Sequence, residues 1–500
     1  MSDVELIAQR RLKRRWIWAG RLFSPVLAVA VYGLMRLGTM PEAVPDAACR
    51  TAAVGALIAG LWITEAMPLP ITALLPLVLF PLLGVLPLRE AAAPYASPPI
   101  FLFMGGFMLA LAMERWNLHR RLALCILAFA GQTPSGLLAG FIAASALLSM
   151  WISNTATTVM MVPIVLSVVS WAREQLNAQD ATDFGAAMLL AVAYAASVGG
   201  AMTLVGTPPN VLLAAFARDE LGEVVSFARW MLFAVPLGVV LLGVLYVYMR
   251  RFVPAALSDV TRRARGLVRT ELQQLGPLSR GETIVLAVFS VTVLAWISHE
   301  WLERIPGVLR VLPFLPQLSD EMIAVLAAVA LFVIPVDFEA NEFALDWETA
   351  VRLPWGVLLI FGGGLSLARA VSASGLDDWV AGQVAGWGHL PGWLLALAIS
   401  TVVVFATELA SNTATASAFL PILAGAAKGI GVDPLVLLVP ATVAASYAFM
   451  LPAGTPPNAI VFGTGYISIQ RMARTGLLMN LVAIVVITAF VTGLLPLVGL

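Results

Sequence analysis

Residues 136–170 read GLLAGFIAASALLSMWISNTATTVMMVPIVLSVVS, an uncharged apolar block interrupted only by Ser153, Asn154 and Thr155. In a water-soluble protein such a tripeptide is an ordinary helix cap or turn, because these side chains bond to nearby backbone groups. Here the flanks on both sides are long enough and apolar enough to lie in a bilayer. Non-helical backbone is tolerated there only where protein or an aqueous cavity covers it. The break recurs at Ser411, Asn412 and Thr413, inside a second apolar block from Leu390 to Ala427. Two polar tripeptides held in apolar surroundings, in matching contexts, point to a membrane protein built around two broken helices.

Composition agrees. The chain of 500 residues is 60% hydrophobic and 12% charged, with a mean hydropathy of +0.92, which excludes a water-soluble globular domain and places it among polytopic membrane proteins. The formal net charge of +0 hides a segregation of arginines into a few short segments, and nothing in it suggests nucleic-acid binding. Arg10, Arg11, Lys13, Arg14, Arg15 and Arg21 form a basic head before the apolar run Leu22 to Met35. With no small-residue cleavage site between Arg36 and Pro45, this reads as an uncleaved first span with a cytoplasmic N-terminus. Cys49 and Cys125 are distant in sequence and read as small buried hydrophobes.

Apolar segments of spanning length fall at 22–37, 47–65, 69–88 and 98–116, with Pro68, Pro70, Pro76 and Pro81 bending the third. His119, Arg120 and Arg121 open a run, Leu122 to Ala130, suited to the interface. After the first tripeptide block come a span at 184–205, a break at Gly206-Thr207-Pro208-Pro209-Asn210, and a span at 230–249. The segment 250–280 holds seven arginines (250, 251, 262, 263, 265, 269 and 280) against Asp259 and Glu271, and reads as a solvated loop, with a lipid-headgroup site as the alternative. Spans at 282–298, 321–336 and 354–372 precede the second block. A span at 435–452 then breaks at Gly454-Thr455-Pro456-Pro457-Asn458, and the last covers 477–498.

The internal repeat organises this list. Gly105-Gly106 recurs as Gly363-Gly364 and Ser153 as Ser411, both 258 positions on, and the Gly-Thr-Pro-Pro-Asn string at 206 recurs 248 positions on. An odd number of crossings separates the tripeptides, so the repeats are inverted. Counting from a cytoplasmic N-terminus puts His119 to Arg121, the Arg-rich segment, Arg471 and Arg474 inside, as the positive-inside rule prefers. The division is 1–46, basic N-terminus and first span; 47–250, first repeat; 251–280, cytoplasmic linker; 281–500, second repeat.

If each block folds back at its tripeptide, the second arm presents its free N–H groups and positive dipole end at the tip, while the first arm ends there in exposed carbonyls. One end suits an anion and the other Na⁺, a pairing that transporters use. Gly206 and Gly454 admit close backbone approach, and the paired prolines leave carbonyls unpaired. Glu408 is the only charged residue in the segments 136–170, 186–216, 390–427 and 435–470, and reads either as an acceptor for tip N–H groups or as a proton site. On these segments a dianion meets no fixed positive side chain. An intramembrane serine protease, with Ser374 beside Gly375 and His389 as base, is a distant alternative.

The strings SMWISNTATTVMMVP (149–163), VGTPPN (205–210), TELASNTATASAFLPIL (407–423) and ASYAFMLPAGTPPNAIVFG (445–463) resemble the divalent anion:sodium symporter family of di- and tricarboxylate transporters. The resemblance implies an all-α polytopic membrane protein of about 11 transmembrane helices plus two re-entrant hairpins in an inverted repeat, with scaffold and transport domains. It also implies a homodimer in the inner membrane that works by elevator-type alternating access. By the family's pattern, Na⁺ would be held by Ser149, Ser153, Asn154 and Gly206 at one site and by Thr407, Ala410, Asn412 and Gly454 at the other. Substrate carboxylates would meet Ser153, Asn154, Thr155, Ser411, Asn412 and Thr413, with Thr207, Thr455 and Pro456 nearby. The implied activity is Na⁺-coupled symport of a small dianion such as succinate or malate. Na⁺-independent exchange and tricarboxylate or sulfate transport are the alternatives.

Overall fold

A computed structural model describes residues 3–37, 44–129, 133–254 and 257–499, with the side chains of 3–16 and 258 outside the described set. The basic head up to Arg15 and Ala130, the end of the expected interfacial run, therefore lie beyond what is described at side-chain level. The chain is helical nearly throughout. It opens with α1 (Asp3–Arg36), α2 (Asp46–Thr64), α3 (Leu69–Thr72), α4 (Leu75–Leu82), α5 (Leu88–Ala92), α6 (Pro98–Arg115) and α7 (Leu118–Phe129). The first tripeptide lies between α8 (Pro134–Ser149) and α9 (Asn154–Arg173), and the first Pro-Pro break between α10 (Ala178–Ala201) and α11 (Pro208–Phe216). Then come α12 (Phe227–Met249), α13 (Ser258–Gln274), α14 (Arg280–Glu303), α15 (Pro306–Val311) and α16 (Asp320–Val333). A two-stranded antiparallel ribbon, β1 (Pro335–Asp337) with β2 (Glu342–Phe343), leads to α17 (Trp347–Ala350), α18 (Trp355–Ser374) and α19 (Leu376–Val384). The second tripeptide separates α20 (Gly392–Thr407) from α21 (Asn412–Ile430), and the second Pro-Pro break separates α22 (Leu435–Ala445) from α23 (Pro456–Gly463). The chain closes with α24 (Ile469–Gly493) and α25 (Leu495–Val498).

Among the described residues, ten helices are long and apolar enough to cross a membrane, and the first arms α8 and α20 are among four shorter apolar helices. At 1.5 Å per residue the 16-residue arms span about 24 Å, less than the hydrocarbon thickness. The apolar window of α10 is wholly buried, which puts that helix at the centre of the molecule. Tyr194 on it donates its hydroxyl to the carbonyl of Phe449 at 2.6 Å, tying the first repeat to the unwound stretch of the second.

The duplicated glycines mark close helix approach in both halves. A Cβ on Gly105 would lie 2.6 Å from the backbone of Ala324 in α16, and one on Gly363 would lie 2.4 Å from the carbonyl of Ala73, between α3 and α4. Neither position has room for a side chain.

The structure differs from the sequence expectation in three segments. The Arg-rich stretch is not a loop: it contains α13, whose Val260, Ala264 and Val268 are buried while Arg262, Arg263 and Arg269 stay exposed. Their spacing of four residues lines one helical face, which packs on α7, α8 and α9, and the basic face pairs outward, Arg263 with Glu174 at 2.6 Å and Arg120 of α7 with Glu271. The stretch after Ser374, expected on sequence to be a polar loop that closes the span, is likewise helical, as α19. The last span starts at Ile469 rather than 477, because Arg471 in its first turn pairs with Asp183 of α10 and so can be held at the membrane edge.

Candidate functional site

The chain breaks at each tripeptide for a local reason. Ser153 is extended (φ −56°, ψ 141°) and its hydroxyl accepts the N–H of Ala156, capping α9. Ser411 has the same backbone but makes no cap bond, so its hydroxyl remains available. Each Asn is held from behind by the end of the preceding arm: Ser149 donates to Asn154 Oδ1 at 2.6 Å, and Thr407 donates to Asn412 Oδ1 at 2.8 Å. Asn154 also rests on Gly200, where a Cβ would lie 2.2 Å from its Oδ1.

The two Pro-Pro breaks are closed by the asparagine that ends each string. Asn210 Nδ2 donates to the carbonyls of Ala201 and Thr203 at 3.0 and 2.7 Å, and Asn458 Nδ2 to those of Ala448 and Leu451 at 2.9 and 3.0 Å. Both asparagines are fully buried. Each satisfies carbonyls that the broken helix leaves orphaned. Sequence reasoning took these two residues only as part of a string; their signal was the matching Asn after each Pro-Pro.

All of these breaks meet on one cavity of about 790 Å³. Its wall includes every residue expected to bind substrate: Ser153, Asn154, Thr155, Thr207, Ser411, Asn412, Thr413, Thr455 and Pro456, together with Gly206 and Gly454. Ser149, Thr407 and Ala410 are buried, and are not among the residues lining it. Four helices begin at this wall, α9, α11, α21 and α23, and four end behind it, α8, α10, α20 and α22. At roughly half a charge per helix N-terminus, the wall offers about two positive charges without a cationic side chain. The ends behind it offer oxygen ligands only, from Ser149, Asn154, Thr407, Asn412 and backbone carbonyls. That donor set fits a hard monovalent cation. Among the described residues no group of three or more His, Cys, Asp or Glu side chains is placed to hold a metal ion.

The cavity also reaches Glu65, Glu114 and Arg352. Arg352 lies in no motif and has no acidic partner within ion-pair distance among the described residues. The expectation of no fixed positive side chain therefore holds for the motif segments but not for the mouth of the cavity. Glu114 adjoins Arg115, which pairs with Asp346 at 2.7 Å, and the neighbouring Trp116 packs on Gly281 at the start of α14. The mouth thus opens at the end of the helices that carries the Arg-rich segment.

Glu408 is 3% exposed and entirely occupied as an acceptor. Oε1 takes the N–H groups of Phe449 and Met450 at 2.7 and 2.8 Å and the amide of Asn480 at 2.8 Å; Oε2 takes the N–H of Leu451 at 2.9 Å. Four donors and no acceptor around it match an ionised carboxylate clamping the unwound stretch. The first repeat uses a neutral device at the matching place: Thr203 donates to the carbonyl of Met150 at 2.5 Å and accepts the N–H of Gly206 at 3.1 Å. Glu408→Gln should therefore lower stability by about 1–3 kcal/mol, because one amide N–H₂ must face N–H donors. Thermal unfolding checks this, and a wild-type melting temperature would return Glu408 to a proton-carrying role.

The protease constellation is not assembled. Ser374 donates to the Val371 carbonyl, Ser372 to Glu220, and His389 bonds the Gly386 carbonyl.

A family model described as "Sodium:sulfate symporter transmembrane region" matches residues 20–498. The chain is 42% identical over 482 residues to the sodium-dependent dicarboxylate transporter SdcS of Staphylococcus saprophyticus, covering 95% of this chain and 92% of that protein. It is 39% identical over 493 residues to SdcS of Staphylococcus aureus strain MW2, covering 97% and 93%. Among solved structures, the YdaH transporter of Alcanivorax borkumensis matches with a TM-score of 0.55 at 15% identity, covering 81% of this chain and 86% of that one. MtrF of Neisseria gonorrhoeae matches at 0.52 and 14%, covering 83% of each. At such identities these two speak for the fold alone.

Proposed function

The chain belongs to the sodium:sulfate symporter family, the divalent anion:sodium symporters, and from that premise we propose that it carries a C4-dicarboxylate such as succinate or malate together with Na⁺. It is a transporter and not an enzyme. The observation that carries the reading is the convergence of four helix N-termini on one cavity, with four oxygen-bearing helix C-termini behind them. The positive ends match the two carboxylates, and the negative ends call for cations. The names of the SdcS relatives support both the anion and the ion.

The residues proposed for the anion are Ser153, Asn154, Thr155, Ser411, Asn412 and Thr413, with Thr207, Thr455 and Pro456. Those proposed for Na⁺ are Ser149, Ser153, Asn154 and Gly206 at one site, and Thr407, Ala410, Asn412 and Gly454 at the other. The chemistry Na⁺ supplies is charge compensation beside a buried dianion. We assign 47–250 and 281–500 as inverted repeats joined by the linker 251–280, each holding one re-entrant hairpin, in a homodimeric inner-membrane protein with a cytoplasmic N-terminus. Transport would then proceed by elevator-type alternating access, and with the linker on the cytoplasmic side a mouth at the Arg-rich end corresponds to an inward-open state.

Uptake of radiolabelled succinate, citrate, 2-oxoglutarate and sulfate into proteoliposomes, with and without a Na⁺ gradient, tests the substrate. Saturable succinate uptake that needs the gradient is expected, and Na⁺-independent exchange overturns the symport reading. Inversion has its own test in a background with Cys49 and Cys125 replaced by Ala. A cysteine at Ser135, at the base of α8, should react from the cytoplasmic side, and one at Pro391, at the base of α20, from outside. Reaction of both from one side refutes the inversion.

A further inference from the structure

At the end of α14 remote from the Arg-rich segment, a second cavity of about 390 Å³ is lined by Arg218, His299, Glu300, Glu303, Asp320 and Glu321. Within it His299 and Asp320 are 6% and 8% exposed. Asp320, in the first turn of α16, joins three helices: its Oδ2 accepts the N–H of Phe227 at the start of α12 (2.8 Å), and its carbonyl accepts the Trp296 indole of α14 (2.9 Å). Its Oδ1 is buried and has no hydrogen-bond donor. The atom facing it is His299 Nε2, 3.8 Å away.

The other nitrogen of that imidazole fixes the proton count. His299 Nδ1 lies 3.1 Å from the carbonyl of Ala295, which can only accept, so Nδ1 carries the hydrogen. In the neutral ring Nε2 is then a bare lone pair aimed at a bare carboxylate oxygen. Two acceptors facing each other away from water are unfavourable, and one proton between them removes the conflict, as imidazolium with carboxylate or as carboxylic acid with imidazole. Among the described residues lining this cavity, Arg218 is the only other cation, and it is already paired. Arg218 is engaged by Glu321 at 2.7 Å and Arg229 of α12 lies 3.5 Å from Glu300, while Glu303 adds a further acid.

We propose that His299 and Asp320 form a buried binding site for one exchangeable proton, separate from the anion cavity, which clamps the junction of α12, α14 and α16 while the proton is bound. A proton bound in the folded protein and released by the unfolded chain stabilises at low pH, so the clamp loosens as pH rises through the titration of the pair.

The sequence contains three histidines, which makes ¹⁵N-histidine NMR of the whole protein decisive. His299, identified by loss of its signals in His299→Gln, should keep its Nδ1 hydrogen at every pH and show an Nε2 that shares a proton with Asp320, a signature that Asp320→Asn removes. A ring with its hydrogen on Nε2 and a bare Nδ1 overturns the proposal. The second test needs no histidine variant. Asp320→Asn places a permanent N–H₂ opposite Nε2 while keeping an oxygen for Phe227. Wild type should lose several degrees of melting temperature between pH 6 and pH 9 and Asp320→Asn should lose none of that increment. An unchanged pH slope in the variant overturns the clamp, and neither readout depends on transport.

Discussion

Asn154→Ala and Asn412→Ala should each reduce Na⁺-driven uptake to background while the protein still folds and inserts. Each asparagine faces the cavity with its own side chain and is bonded from behind by the last residue of the preceding arm, Ser149 or Thr407. On the proposed assignment alanine would remove an anion contact and a cation contact in one step, and it leaves a buried hydroxyl short of its acceptor. A buried polar group so stranded costs about 1–3 kcal/mol, applied here to the tip geometry on which both ligands depend. Thr407 keeps a second acceptor in the Ala445 carbonyl at 2.9 Å, whereas Ser149 has none, so the Asn154 variant should be the less stable of the two. Uptake assays with thermal unfolding on the same preparations check this. Near-normal uptake by both variants would remove the tips from the site.

Replacing Na⁺ by choline should weaken succinate binding to purified protein at least tenfold, about 1.4 kcal/mol of coupling. The four N-termini present partial charges, spread over a wall whose motif segments carry no basic side chain. Arg352 stands at the mouth, on a wall it shares with Glu65 and Glu114. Burying a dianion on dipoles alone leaves a penalty of several kcal/mol, which cations held at the helix C-termini behind the tips, as proposed, would relieve. Calorimetry in the two salts decides the matter, since equal affinity in choline would make Na⁺ dispensable to the anion site.

The parts of this arrangement that were legible in the sequence are those written in local chemistry. The Ser-Asn-Thr strings at 153 and 411 favour a helix N-terminus inside apolar blocks, and Pro208-Pro209 and Pro456-Pro457 interrupt the helical ladder, so both tips and both unwound stretches could be placed by residue number. The nine residues proposed for the anion line one wall, and the repeat had already linked the four breaks that carry them. What could not be read were partnerships fixed by packing. Glu408 meets Asn480 across 72 residues and three backbone N–H groups that exist as donors only once α22 has ended. Arg352 reaches the cavity from a linker with no motif, and His299 faces Asp320 because α14 and α16 pack together. The Arg-rich segment is a different case: Val260, Ala264 and Val268 were visible at helical spacing, but the density of charge around them reads as solvation.

The clamp on the second unwound stretch bears on how the membrane voltage acts. If Glu408 travels with its hairpin, the carrier has a permanent negative charge beside the site, where the first repeat has the neutral Thr203. Loaded with the dianion and one Na⁺ more than the dianion itself requires for neutrality, the moving part is uncharged and indifferent to the field. Emptied, it is an anion. A cell interior held negative then pushes the empty carrier outward, with about 2.3 kcal/mol per 100 mV for a full transit, so the voltage would drive the return stroke rather than the loaded one.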